Sequence, residues 1–171
     1  MADLDSVRVS TFLLIVHLLA VVLAVGPVTV AASMFAPAAR AAIAAPPPTE
    51  HPVKAPAEPG TVLRTLLRIC RTYSALGLFV PVFGLATAAS LGVLTDAWVL
   101  SSIGLTLVAA GVLVRFVLPG QVALVAGVEA GEGESLRPVI ARLAMTTGVF
   151  NLLWFAVLVL MVIRPGSTVG A

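Results

Sequence analysis

Charged side chains are scarce in this sequence. Asp, Glu, Lys and Arg together make up 11% of its 171 residues, and hydrophobic residues make up 60%. A soluble domain carries about 25% charged residues, so this chain has too little charge to cover a water-exposed globule. We therefore expect lipid to surround most of it. No basic stripe is interleaved with aromatic side chains, which excludes a nucleic-acid partner.

Cysteine is nearly absent as well. Cys70 is the single cysteine, which excludes an intrachain disulfide and a multi-cysteine metal site. The sequence also lacks a Gly-rich phosphate loop, a metalloprotease helix, a Ser-His-Asp set and paired carboxylates. These absences favour a protein that is not an enzyme.

Long apolar runs are abundant. A bilayer core of about 30 Å needs about 20 apolar residues of helix, and four stretches without Asp, Glu or Lys are long enough. They predict an all-α fold, a transmembrane four-helix bundle that forms a single membrane domain over 1–171. The predicted spans are about 11–34, 73–94, 97–118 and 143–163. Because Asp3 and Asp5 precede the first run, where signal peptides are basic, we expect this helix to be retained.

Basic residues are distributed unevenly between the loops. The first and third loops carry most of them, the second loop none, and the tails only Arg8 and Arg164. By the positive-inside rule the first and third loops are cytoplasmic. We therefore expect a multi-pass protein of the plasma membrane with both termini extracytoplasmic. The basic residues of the two loops are Arg40, Lys54, Arg64, Arg68, Arg71, Arg137 and Arg142.

The first loop has two parts. Residues 45–60 hold half of the chain's 12 prolines and predict an extended cytoplasmic linker, either a spacer or a docking strip for a partner. Residues 62–71 predict an amphipathic interfacial helix on the inner leaflet. Its basic side is formed by Arg64, Arg68 and Arg71, and both membrane anchoring and an anionic-substrate site are compatible with it.

Small residues recur along the second and third spans. Gly77 and Gly84 lie on the second, and Gly104 and Gly111 lie on the third. In lipid, small residues allow helix backbones to approach closely. We expect these glycines to pack the two spans against each other below a tight hairpin, with Trp98 at the membrane interface.

His17 is an ionisable residue within the first span, and such a group is a functional hypothesis by default. It is a candidate ligand of haem or copper, a candidate proton carrier, or a histidine hydrogen-bonded to a neighbouring carbonyl or serine. No second histidine, cysteine or carboxylate lies in any span. A closed metal-ion cage is therefore excluded, which leaves haem b with one axial histidine or a site completed by another subunit.

Arg115 and Asn151 are the other two strongly polar residues of the spans. Arg115 lies about one turn from the cytoplasmic end of its helix, so it can reach lipid headgroups, pair with another residue or face a ligand such as a propionate or phosphate. Pro119-Gly120 is expected to break or bend this helix. Asn151 lies deep in the fourth span and is expected to hydrogen-bond across helices or to contribute to a cofactor site.

Taken together, these residues resemble a bacterial four-helix integral membrane family of unknown function. That family is distantly similar to the copper-resistance D-type proteins and to the J-type protoporphyrinogen oxidase. The matching features are His17 with Leu-Leu-Ala and Gly26-Pro27 after it, the Arg-rich start of the second span, Trp98, Asn151 and the closing Val-Ile-Arg-Pro. The resemblance implies outward termini and, through the oxidase branch, haem b bound by His17. The chain departs from that branch at Ser102, where lysine is expected, and at Ala24, where tryptophan is expected.

Three functions follow from these observations. The first is a non-catalytic accessory subunit of a larger membrane complex, bound to lipid and to other membrane subunits, which small size and the absence of intramembrane acids favour. The second is a haem b-binding redox protein that uses His17. The third is transport of copper or a small solute, which the copper-resistance likeness suggests, although no methionine cluster or charged path crosses the bilayer. The first is preferred.

Overall fold

The computed structural model describes residues 2–45 and 59–166, with side chains over 4–45 and 60–166. All regular structure in these residues is helical. A π-helical turn, Leu113–Val117, joins the fourth helix to the fifth, and a 3-10 turn, Glu134–Leu136, precedes the last. Of the predicted linker 45–60, only residues 45, 59 and 60 are described, and the rest lies outside the described residues. The helices are α1 (Ala2–Ala44), α2 (Pro59–Leu76), α3 (Phe79–Ser90), α4 (Ala97–Val112), α5 (Leu118–Glu129) and α6 (Arg137–Ile163).

The helices form four apolar lengths that are long enough to cross a bilayer, which confirms the prediction of a four-span integral membrane protein. The four lengths are Leu4–Ala44, Gly60–Ser90, Ala97–Glu129 and Glu134–Ile163. Each is longer than the predicted span, because backbone hydrogen bonds continue through polar residues that end an apolar run. The orientation in the membrane stays a prediction.

Prolines explain the two irregularities in these lengths. Pro81 lacks an N–H and its ring clashes with the carbonyl four residues earlier, on Gly77. The helix breaks there into α2 and α3, and the Gly77 carbonyl accepts from the Val80 N–H at 3.1 Å instead. Pro119 has the same effect on Arg115, and the response is the π-helical turn. The helix does not end at Pro119-Gly120, as one alternative of the prediction had it, but continues to Glu129.

The core lies where α1, α2, α5 and α6 meet. Its fully buried side chains include Phe35, Leu63, Leu124, Ile140 and Phe150. α5 lies close to the 3-10 turn before α6, since a Cβ on Gly127 would lie 2.5 Å from a Leu136 methyl carbon. α1 also packs along α3, and the main partner of α4 is α6.

The predicted amphipathic segment 62–71 is the middle of α2. Its arginines are exposed, and Arg64 pairs with Glu129 at 3.1 Å. Its apolar side, with Leu63 and Leu66 buried, packs into the protein core. The structure thus differs from the expected apolar contact with the inner leaflet, because neighbouring helices cover this side. The position of the segment relative to a membrane stays a prediction.

The predicted packing of the second span on the third is found near their hairpin, and the two lengths meet again at their other ends, where α2 contacts α5. At the hairpin Ala88 clusters with Trp98 and Val99, and the Trp98 indole N–H donates to Asp96 at 3.1 Å. Farther along, Gly104 and Gly111 are exposed, and a Cβ added at either would meet no atom of the described residues within 4 Å. The structure therefore does not use these two glycines between the second and third spans, since α4 turns its opposite side to α6.

Candidate functional site: polar residues of the spans

His17 joins the first span to the second. Its Nδ1 lies 2.9 Å from the Val80 carbonyl oxygen. A carbonyl can only accept, so Nδ1 of this half-buried ring carries the proton and donates it. In a neutral imidazole the other nitrogen, Nε2, then holds a lone pair. The hydrogen bond to a helix carbonyl is one of the alternatives that the sequence left open for this residue.

Gly84 makes room for this ring. A Cβ at residue 84 would lie 2.9 Å from His17 Cε1 and 3.2 Å from Nδ1. Any larger side chain would displace the imidazole, so the absence of a Cβ brings α1 and α3 together here. Gly84 thus lies against the first span, whereas the prediction had placed it between the second and the third.

Asn151 links the fourth span to the first. Its side-chain Nδ2 donates to Ser33 Oγ at 3.0 Å, which is the interhelical hydrogen bond expected of an amide in hydrocarbon. Its Oδ1 is buried and has no partner among the described residues, and the same holds for Thr147 Oγ1, one turn earlier on α6. The predicted role of Asn151 at a cofactor site stays a prediction.

Arg115 lies on the π-helical turn and is exposed. Its guanidinium carbon is 5.7 Å from the centre of the Phe116 ring, a cation–π distance. No carboxylate of the described residues pairs with it. Pairing with another residue was one of the alternatives drawn from the sequence for Arg115. The described part of the chain offers it no ion-pair partner.

A buried polar pair was missed by the sequence analysis. Gln121 is fully buried, and its Nε2 donates to the Sγ of Cys70, which is also fully buried, at 3.3 Å. The signal was present, because an amide in an otherwise apolar helix needs a partner. Ser102, at the position where the resemblance expects lysine, is buried and donates to the Trp98 carbonyl at 2.8 Å.

The three predicted site residues do not come together. His17 contacts α3, whereas the partner of Asn151 lies 16 residues farther along α1, or about 24 Å of helix. Arg115 lies on another helix, with no hydrogen bond to either. Over residues 4–45 and 60–166, no three of the His, Cys, Asp and Glu side chains are grouped as metal ligands. The arrangement supplies separate interhelical contacts rather than one assembled site.

Comparison with known proteins returned no matching family model, no matching curated protein and no matching solved structure. The family resemblance therefore stays an expectation that rests on the quoted residues. The chain is a multi-pass membrane protein with four candidate spans.

Proposed function

We propose that this chain is a non-catalytic accessory subunit of a larger membrane complex and that it binds a transmembrane helix of a partner subunit. One observation carries the proposal. A row of residues on α4 and the start of the π-helical turn, named the α4 seam, recurs at alternating intervals of three and four and is left uncovered by the described chain. The α4 seam consists of Ala97, Leu100, Gly104, Leu107, Gly111 and Val114.

The shape of the seam supports a helix as its occupant. Leu100, Leu107 and Val114 are 57%, 67% and 63% exposed, and they alternate with residues that have small side chains or none. A 3-4 spacing of this kind is the pattern that places side chains of one helix into the spaces of another. Lipid tails gain nothing specific from such spaces, whereas a helix backbone can approach glycine closely.

The length of the seam supports a partner inside the bilayer. Its last member, Val114, follows its first, Ala97, by 17 positions, which corresponds to about 26 Å of helix. The hydrocarbon core is about 30 Å thick. A partner helix can therefore follow the seam across most of the membrane.

The polar residues of the other spans support a packing role as well. His17 and Asn151 each form a hydrogen bond between helices, so the polar contacts of the spans hold the bundle together. A bundle held together in this way, with the small residues of the α4 seam left uncovered by the described chain, suits a subunit that binds its neighbours.

Site-specific photo-crosslinking in native membranes tests this proposal. A photoreactive residue in place of Leu107 is expected to give one discrete adduct, identified by mass spectrometry as another membrane protein. The same probe in place of Leu152, which is 70% exposed on α6, is the control and is expected to give no such adduct. Gly104→Leu should abolish the adduct because it fills a space of the seam, whereas Gly148→Leu on the exposed side of α6 should not.

Three results would contradict the proposal. One is the absence of an adduct at Leu107, and another is an equal yield of the same adduct at Leu152. The third is an adduct with the mass of two copies of this chain, which would identify the seam as a self-association surface instead.

A haem b-binding redox protein is the second candidate function. The observation that favours it is the orientation of His17. A ring whose Nδ1–H is donated to a backbone carbonyl presents the Nε2 lone pair, as metal-bound histidines do. The residues around His17 therefore meet the orientation requirement of a haem ligand, although the close approach of Gly84 to the ring leaves little space for a haem on that side.

Absorption spectra of the purified protein, oxidised and then reduced, distinguish the two candidates. A haem protein would show a Soret band that is lost in His17→Ala and retained in Asn151→Ala. A protein that stays colourless after purification from haem-supplemented cells would eliminate this second candidate and leave the first untouched.

A further inference from the structure

We propose that a groove between the third and fourth spans binds the phosphate headgroup of an anionic membrane lipid. The groove, named the arginine groove, has a volume of about 410 Å³. One wall comes from the π-helical turn and the start of α5, and the other from the first turns of α6. Its lining includes Arg115, Phe116, Gly120, Ala123, Arg142 and Thr146.

Two guanidinium groups on different helices face this groove. Arg115 comes from the π-helical turn and Arg142 from α6. Neither has a carboxylate partner among the described residues, where the ion pairs are made by Arg64 and Arg137. No Asp or Glu of the described residues lines the groove. Two like charges that face one space favour an anion there, and a guanidinium binds phosphate with directed, charge-assisted hydrogen bonds.

The local backbone explains how the arginines come to share the groove. The π-helical turn that accommodates Pro119 changes the direction of the residues before it, Arg115 among them. Gly120 allows α5 to approach α6, because a Cβ there would already lie 3.3 Å from a Leu143 methyl carbon. Ala123, small and exposed, leaves the space beside this contact open.

The remaining surface of the groove suits a lipid rather than a free ion. Apart from the two arginines and Thr146, whose hydroxyl is bonded to its own helix, the lining is apolar. Phe116, which is exposed, is part of this lining. Met145, which is 66% exposed, lies beside Thr146 on α6. An apolar surface next to paired guanidiniums matches a molecule with a charged head and an apolar body, and basic pockets between membrane helices bind such headgroups.

Native mass spectrometry of the detergent-purified full chain tests this inference. The protein is titrated with phosphatidylglycerol, with phosphatidylcholine of the same acyl chains and with inorganic phosphate. We expect the protein to bind one molecule of phosphatidylglycerol preferentially, at least about 10-fold more tightly than phosphatidylcholine. Arg115→Gln and Arg142→Gln should each weaken its binding by about 10-fold or more, since each removes a hydrogen bond to a charged group.

Two variants separate a specific groove from general charge attraction. Arg68→Gln removes an equally exposed charge from α2, outside the groove, and should change phosphatidylglycerol binding less than about 5-fold. Ala123→Phe fills the groove without changing the charge and should weaken binding as much as an arginine variant does. Arg142→Lys serves as the variant that retains the charge. Its circular-dichroism spectrum should equal that of the wild type.

Each alternative result would overturn the inference. Equal losses in Arg68→Gln and Arg142→Gln would indicate general attraction to the basic side of the protein. Equal binding of phosphatidylcholine would indicate that the groove takes acyl chains only. Displacement of the lipid by inorganic phosphate at the same concentration would identify a free phosphate site, and unchanged binding in Ala123→Phe would place the lipid elsewhere.

Discussion

Gly84→Ala should destabilise this protein through His17. Alanine in place of glycine within a helix normally stabilises it by roughly 0.5–1 kcal/mol. Here the added Cβ would lie 2.9 Å from His17 Cε1, so the imidazole must turn away and lose its hydrogen bond to the Val80 carbonyl. Such a bond between membrane helices contributes about 0.6 kcal/mol and at most about 1.7, and overpacking of the contact costs about 1–3 kcal/mol more.

The net expectation is a loss of about 1–2 kcal/mol in the free energy of unfolding. The assay is unfolding by SDS in mixed micelles, followed by far-UV circular dichroism. Gly148→Ala is the matched control, because a Cβ on this exposed glycine of α6 would meet no atom of the part of the chain that the structure describes within 4 Å. That variant should be unchanged or slightly more stable.

A double-mutant cycle identifies His17 as the cause. His17→Ala removes the ring, so Gly84→Ala in that background should gain the ordinary stabilisation of a helical alanine. The coupling between the two changes should then be about 2 kcal/mol. The reasoning is refuted if the two changes add within about 0.5 kcal/mol, or if Gly84→Ala and Gly148→Ala have the same effect.

The remaining predictions concern the core, the fourth span and the orientation. Cys70, fully buried, should react with maleimide only after unfolding in SDS; rapid labelling of the folded protein would show that its helix face is not packed. Asn151→Ala and Ser33→Ala should each cost about 0.6–1.7 kcal/mol, and the double variant no more than one of them; additive losses would contradict the shared hydrogen bond. With Cys70→Ala as background, a membrane-impermeant maleimide on intact cells should label Thr95→Cys and not Glu132→Cys. The reverse pattern would invert the proposed orientation.

Much of the fold could be predicted from the sequence, and the partners of individual residues could not. The four spans follow from apolar length, because the thickness of the bilayer sets a requirement that a single chain segment either meets or fails. Hydrogen-bond partners have no such local signature. His17 and Val80 are 63 residues apart, and Asn151 and Ser33 are 118 residues apart.

The glycines show the same division. The sequence marked Gly77, Gly84, Gly104 and Gly111 as packing residues between the second and third spans. In the structure Gly84 packs against the first span, and Gly104 and Gly111 are exposed. Gly77 lies at the break between α2 and α3, where a Cβ would lie 3.0 Å from the Ser74 carbonyl oxygen. In water the contrast between polar and apolar residues tells the buried face of a helix from the exposed one. In a membrane both faces are apolar, so the spacing of small residues reveals a contact surface without naming its neighbour.

The sequence by itself therefore determined that this is a four-span membrane protein with few polar residues inside the membrane, because bilayer thickness and the cost of burying charge act on each segment independently. The tertiary structure alone decided which helices meet. It assigned His17 to the Val80 carbonyl, brought Arg115 and Arg142 to one groove and left the α4 seam uncovered. These depend on the directions in which whole helices pack, which no single segment encodes.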